Sequence, residues 1–381
     1  MREPRTILTC VLGLLVLLGC GCRGGDVGNS ARAAGSERPA TGHTLAVQAV
    51  CEVGRLDSLV SVLAFSPDGA VLAYGDDYAG GGVKLFDCIM RKPIDALRDS
   101  DFGPRGAFAP SGRTIVISKR KAVEAIDLRD ESVVMRAAYD GHLCAVAISP
   151  DGRHIAACTM VCRDSILPRG ECIVWDARTG TEALRFHAKE GPVYAAAFAP
   201  SGDRLALGIG DRWSQYRPYR PARGGLRVCS LRDGTVLKNT DPGIGWVTKV
   251  AFSDDGRTLA AGGSTGMIAL YSMPDFERRA TIRAHAEGVR SLCFAPDGRY
   301  LASAAIDVKV WEMPDGRELS GLFSNTPAAD WATYTPDSRM IATGGNDDVV
   351  RLWRIRSDSD PRPPATGSTQ KTAGPGALPR E

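Results

Sequence analysis

Short apolar runs broken by Gly, Pro and Asp turns fill most of this chain, and they recur in a fixed order. In one copy Val193 to Phe198 reads as a strand, Pro200-Ser201-Gly202 as a tight turn and Leu205-Ala206-Leu207 as a second strand. Pro presets φ at such a turn, and Gly relieves the left-handed position. A third run ends on a bulky residue, as in Ile173-Val174-Trp175-Asp176, Val308-Lys309-Val310-Trp311-Glu312 and Val350-Arg351-Leu352-Trp353-Arg354. A turn such as Asp176-Ala177-Arg178-Thr179-Gly180 then leads to an outer run, Thr181 to Phe186.

The first turn is the most regular element. Its seven copies begin at Phe65, Phe108, Ile148, Phe198, Phe252, Phe294 and Tyr334, with spacings of 43, 40, 50, 54, 42 and 40 residues. They read Phe65-Ser66-Pro67-Asp68-Gly69 at the first copy and Tyr334-Thr335-Pro336-Asp337-Ser338 at the last. A period of about 40–45 residues carrying four short strands marks a β-propeller. One such unit cannot bury both of its faces, whereas units stacked around a ring can. The expected fold is all-β, with seven four-stranded antiparallel blades.

The order of strand, Pro-Asp-Gly turn, Leu-Ala-Ser-type strand, Asp turn and Trp-Asp strand resembles the WD40 repeat over roughly residues 45 to 356. The resemblance implies a buried hydrogen-bonded chain in each complete blade, linking a His before the first strand, a Ser or Thr on the second, an Asp in the second turn and a Trp on the third. The sixth repeat matches at His285, Ser303 and Trp311, with Asp307 in a turn two residues shorter than usual. The seventh matches at Thr343, Asp347 and Trp353, with Asn325 at the His position. Elsewhere Phe86, Ile126, Cys229 or Tyr271 replaces the Trp, so apolar packing is expected to dominate.

After Trp353 only Arg354 to Ser357 precede a Pro-rich tail, which leaves the last repeat without an outer strand. The run Thr44 to Glu52, alternating at Leu45, Val47 and Ala49, is expected to supply it and to close the ring. The chain therefore divides into a leader at 1–19, a tether at 20–43, a propeller at 44–357 and a disordered Pro-rich tail at 358–381.

In the leader, Arg2 and Arg5 precede an apolar run from Ile7 to Leu18. It is shorter than the about 20 residues that span a bilayer and fits a secretory signal. Leu17-Leu18-Gly19-Cys20 resembles the bacterial lipobox, which implies acylation of Cys20 and stable anchoring. Gly21 in the next position favours the outer over the inner membrane by the family's sorting rule. The expected location is thus the cell envelope, facing the periplasm or the exterior; an ordinary cleaved signal would instead give a soluble secreted propeller. The Gly-, Ala- and Ser-rich tether spans roughly 25 Å by random-coil scaling.

Of 11 cysteines, Cys10 leaves with the leader and Cys20 is the lipidation site, so nine stand in a compartment that permits disulfides. The candidates for bridging are Cys158, Cys162 and Cys172, pairing either Cys162 or Cys158 with Cys172. No standard metal-ligand spacing is present, and no metal or other cofactor is expected.

Two connections are long. Between the second and third strands an ordinary repeat takes nine residues, as from Leu259 to Ile268, whereas the third takes 17, from Ile155 to Cys172, and the fourth 21, from Leu205 to Leu226. The fourth carries Arg212, Trp213, Tyr216, Arg217, Tyr219 and Arg220, a mixture typical of interface anchors. Protein partners of unknown identity are expected there, with an anionic glycan or lipid head group as further possibilities. A net charge of +3 and the compartment argue against nucleic acid. No phosphate-cradling loop or nucleophile elbow occurs, which favours a non-enzymatic scaffold; a monomer is expected. The other class, an enzyme or small-ligand binder at a central channel, requires ionisable residues on the innermost strands; Lys249 and Arg290 are the ones noted.

Overall fold

A computed structural model describes residues 45–55, 60–76, 83–94, 102–119, 121–161, 169–211, 224–319, 329–345, 347 and 349–357. The leader, the tether, the C-terminal tail, Cys20, Cys162, Asn325 and the loop segment 212–223 lie outside them. The described residues form seven four-stranded antiparallel sheets. In the third, His142–Ile148, His154–Val161, Arg169–Asp176 and Glu182–Ala188 follow one another from the innermost to the outermost strand. The innermost strands of successive sheets pack side by side, and Ala329–Tyr334 of the seventh returns to Val60–Phe65 of the first. The result is the seven-bladed propeller expected from the repeats.

The core is distributed rather than central. Seven apolar clusters occupy the seven junctions between neighbouring blades. At the junction of blades 1 and 2, Ala73, Val83 and Leu85 meet Ile115, Ile117 and Ile126. At that of blades 5 and 6, Leu270 and Ile282 meet Leu292, Leu301 and Trp311. The second and third strands of each blade are buried on both faces, which explains their continuous apolar runs. Phe86, Ile126, Cys229 and Tyr271, which replace the Trp, are all buried.

The recurrent turn earns its composition. The Ser66 hydroxyl donates to Asp68 (2.6 Å) and accepts from the Val71 amide (2.9 Å), while the Gly69 amide donates to the Ser66 carbonyl. Ser149, Ser253 and Thr335 make the same hydroxyl-to-Asp bond, each at 2.6 Å. The Gly that follows adopts φ near +70°, for example +71° at Gly69, where a side chain would be strained. Ser338 takes that conformation in the last copy at φ +59°, and its hydroxyl accepts a bond from the Asp297 amide of blade 6.

Blade 3 differs from the sequence reading. Much of the stretch read as a long connection continues the hairpin, with Met160 opposite Gly170 and Val161 opposite Arg169, so only 162–168 remain between the strands. The run Thr159-Met160-Val161 has a partner strand to pair with, and the ladder extends as far as it does.

The ring closes as expected. Leu45–Arg55 pairs antiparallel with Val349–Ser357, from Leu45 opposite Ser357 to Arg55 opposite Val349, and completes the seventh sheet. It extends three residues beyond Glu52 and carries two register shifts. Val53 is buried at the junction with blade 1, beside Leu72, Tyr74 and Phe86. Val47 packs on the other side, against the cluster shared by blades 6 and 7. Removing residues 45–55 therefore exposes one sheet edge and opens two apolar seams. The expected cost is comparable with the whole stability of a domain, about 5–15 kcal/mol, so the truncated chain should lack a cooperative thermal transition by circular dichroism. A transition retained near that of the intact chain would refute the clasp.

Candidate functional site

Blade 6 contains a hydrogen-bonded chain of four side chains. His285 Nδ1 donates to Asp307 Oδ1 (2.6 Å), His285 Nε2 accepts from the Ser303 hydroxyl (2.7 Å), and Trp311 Nε1 donates to Ser303 Oγ (2.9 Å). This direction follows from the carboxylate, which only accepts, and it uses each group of a neutral imidazole once. Asp307 belongs to the chain despite its shortened turn. Its carboxylate is half exposed at 55%, whereas the imidazole is 1% exposed.

Blade 7 is wired differently. Trp353 Nε1 donates to Thr343 Oγ1 (2.7 Å), but Asp347 turns to Arg351 (2.6 Å) and accepts a long bond from the Val349 amide. The three residues grouped from the sequence therefore form two separate contacts. Tyr139, which holds the His position in blade 3, is buried and donates its hydroxyl to the Lys119 carbonyl of blade 2 (3.0 Å).

The sequence also allowed a bridge between Cys158 and Cys172. These stand opposite each other in register and are fully buried, but both are free thiols. The Cys158 thiol donates across the seam to the Ala195 carbonyl of blade 4 (3.9 Å), and burial pushes its pKa up. Among the described residues no group of His, Cys, Asp and Glu is placed to hold a metal ion. Of the loop residues proposed for partners, Arg212, Trp213, Tyr216, Arg217, Tyr219 and Arg220 fall outside the described segment. The blades that carry the two long connections are tied together by Arg227, whose guanidinium reaches from blade 4 to the His187 carbonyl (2.9 Å) and to Glu190 (2.8 Å).

A cavity of about 150 Å³ lies among the innermost strands of blades 2, 3, 4, 5 and 7. Arg105, Ala145, Ala195, Lys249 and Trp331 all line it, and each stands three residues before the first residue of its signature turn. A register shift falls at or just before this position in six of the seven blades. Such bulges free a residue from the ladder and re-aim its neighbours. The freed Thr248 instead bonds the Val289 carbonyl of blade 6 (2.6 Å), and the Arg105 amide donates to Ser118 Oγ (3.2 Å).

Lys249 was legible as an exception on an innermost strand, and it lies in this cavity. Its Nζ sits 4.3 Å from the centre of the Trp331 ring. Burial, and secondarily the charge of Arg105, push its pKa down to about 7. Arg290 is not comparable, because Asp330 (2.7 Å) and Glu287 (3.3 Å) neutralise it. Sequence reading missed Arg105, whose strand, Phe102–Phe108, is interrupted by Gly103, Pro104 and Gly106 and lacks an apolar run. The common offset from the signature turn could have found it.

Two outcomes follow for the polar chain. Ser303→Ala leaves the Trp311 and His285 nitrogens unpaired in a dry seam and should cost about 1–3 kcal/mol, read from the urea midpoint. Burial lowers the His285 pKa below 6.5, with Asp307 opposing in part. The unfolded chain then binds the proton more readily, so this contribution is complete above pH 6.5 and is lost as the pH falls through the lowered value. The melting temperature of the wild type should rise with pH in that window, and His285→Gln should flatten the rise.

Comparison with known proteins agrees with this geometry. Residues 134–167, 228–272, 276–307 and 329–354 match the WD40 family, described as WD domain, G-beta repeat. The chain is 26% identical to Telomerase Cajal body protein 1 of Mus musculus over 52% of its own length and 39% of that protein. It is 25% identical to Actin-interacting protein 1 of Drosophila melanogaster over 65% and 39% of the respective lengths, and 28% identical to Telomerase protein component 1 of Rattus norvegicus over 79% and 11%. It thus spans less than two fifths of each of these curated relatives. Four-stranded blades stacked in a closed ring make this a seven-bladed β-propeller, and its recurrent Ser-to-Asp turns, its His-Ser-Trp-Asp chain and the matched segments are similar to WD40 repeats.

Proposed function

We propose that this propeller is a non-enzymatic protein-interaction scaffold, held at the cell envelope by an acylated Cys20, that takes its partners where the long connections of blades 3 and 4 stand side by side. The observation that carries the reading is the local departure from the repeat. In blade 3 the hairpin runs on to Val161 and Arg169, and in the adjacent blade the strands end at Ile209 and resume at Gly225. Both connections join a second to a third strand and so leave the ring on the same face. Arg227 fixes the two blades against each other, which gives loops on that face a rigid base.

The composition of the blade 4 connection supports protein contact. Trp213, Tyr216 and Tyr219 supply large flat surfaces, and Arg212, Arg217 and Arg220 supply planar donors suited to carboxylates. An acidic protein surface is the favoured partner, with anionic glycans or lipid head groups sharing the same chemistry. Among the relatives, the name Actin-interacting protein 1 speaks of interaction with another protein. The leader supports the envelope location through its apolar run and the Leu17-Leu18-Gly19-Cys20 sequence, and Gly21 favours the outer membrane.

One experiment with two arms tests both parts. Cross-linking of the intact protein in its own envelope should yield defined adducts that disappear when Trp213, Tyr216 and Arg217 are changed to Ala, with an unchanged melting temperature. Adducts that persist would remove the loop from the proposal. Cys20→Ser should move the protein from the membrane to the soluble fraction, and retention at the membrane would exclude the acyl anchor.

A further inference from the structure

The cavity among the innermost strands carries positive charge that no described residue balances. Arg105 and Lys249 form no ion pair among the described residues, and Arg105 Nε is buried without a hydrogen-bond partner. The nearest carboxylate in sequence to the cavity wall, Asp330 beside Trp331, is already bonded to Arg290. The remaining polar groups are neutral at physiological pH. Burial pushes the Cys144 thiol up to about 11 and the Tyr194 phenol up to about 12, so neither supplies a negative charge. Arg105 and Lys249 are half-buried without a counter-charge, and the Lys249 pKa is pushed down to about 7, so an anion placed between them would pair with the guanidinium and favour the charged form of the lysine.

The wall is also held in place. Tyr194 stacks on Trp246, with ring centres 5.9 Å apart, and Trp331 lies beneath the Lys249 ammonium. The three charged or aromatic residues, from blades 2, 5 and 7, share one register position and reach the cavity at strand irregularities. The space of about 150 Å³ is that of a cavity able to hold a molecule of benzene size. A tetrahedral oxyanion is smaller. Guanidinium and ammonium groups together suit a doubly charged oxyanion better than a single carboxylate.

We propose that this cavity is a binding site for a small dianionic oxyanion, phosphate or a phosphate monoester, held between the Arg105 guanidinium and the Lys249 ammonium. The site is separate from the long connections of blades 3 and 4 and does not depend on what they bind.

The test uses the full-length protein titrated with sodium phosphate, sodium sulfate or sodium acetate against sodium chloride at matched ionic strength, read by thermal shift. Phosphate and sulfate should raise the melting temperature in a saturable way, and acetate should do so more weakly. Arg105→Gln and Lys249→Gln should each weaken binding by about tenfold or more, and the double variant should abolish it. Superimposed phosphate and chloride curves, or a shift that survives in the double variant, would overturn the site. An acetate response equal to that of phosphate would overturn the dianion assignment. In the wild type alone, the phosphorus resonance of inorganic phosphate should broaden on addition of protein and sharpen again with excess sulfate; an unaffected line width rejects the proposal even if a variant fails to fold. Glycerol phosphate in place of phosphate then distinguishes a monoester source from the free ion.

Discussion

The structure depends on one strand pairing, that of Leu45–Arg55 with Val349–Ser357. Every other blade is completed by residues that follow one another in the chain, and six of the seven seams join neighbouring stretches of chain. The closing pair is the one strand ladder that joins segments about 300 residues apart, and together with the seam between blades 7 and 1 it carries the loop-closure entropy of the whole ring, a cost that grows only logarithmically with length. Ladder bonds meet part of it. Burial meets the rest, because Val53 and Val47 enter the seams on either side of the last blade. A clasp that only paired backbones would hold an edge; this one also completes two of the seven seams.

Closure in turn creates the channel. Arg105, Lys249 and Trp331 lie in blades 2, 5 and 7, and only a closed ring brings their strands around one space. The same offset from the signature turn places them at a common level, which makes that position a variable ring on a fixed scaffold. Ala145 and Ala195 occupy it in blades 3 and 4, and Ser291 uses it in blade 6 to donate to the Ala332 carbonyl across the seam. What fills this level varies in side-chain size and charge on strands that, in six of the seven blades, carry a register shift at or just before it.

Much of the scaffold was legible because its signals are local and repeated. A Pro or Asp turn ending in Gly at φ near +70°, or in Ser338 at +59° in the last copy, is specified within five residues, and seven copies leave one architecture. The clasp was legible for a related reason, since a final repeat without an outer strand and an unpartnered run before the first one leave a single pairing. The cavity was less so. Lys249 interrupts an apolar strand and stands out, whereas Arg105 sits in Gly- and Pro-rich sequence that carries no strand pattern. Pairing of side chains was the least legible property. Asp347 faces both a Trp-bearing strand and Arg351, and Cys158 faces both Cys172 and Ala195; in each case three-dimensional proximity across a turn or seam chose the partner.

The two ways of filling a blade explain how such different repeats coexist. A chain of His, Ser, Asp and Trp in a dry seam stabilises only when every donor has an acceptor, so replacing one member alone leaves a buried polar group unpaired. Blade 6 keeps all four residues. Blades 1, 2, 4 and 5 replace the Trp with Phe86, Ile126, Cys229 and Tyr271, which fill the same seam without requiring the rest of the chain. Blade 7 lies between them: its Trp353 still has Thr343, and its Asp347 has found Arg351. Because each seam contacts only its two blades, these solutions need not agree around the ring. The repeat can therefore lose its polar signature one blade at a time while the ring and its channel persist.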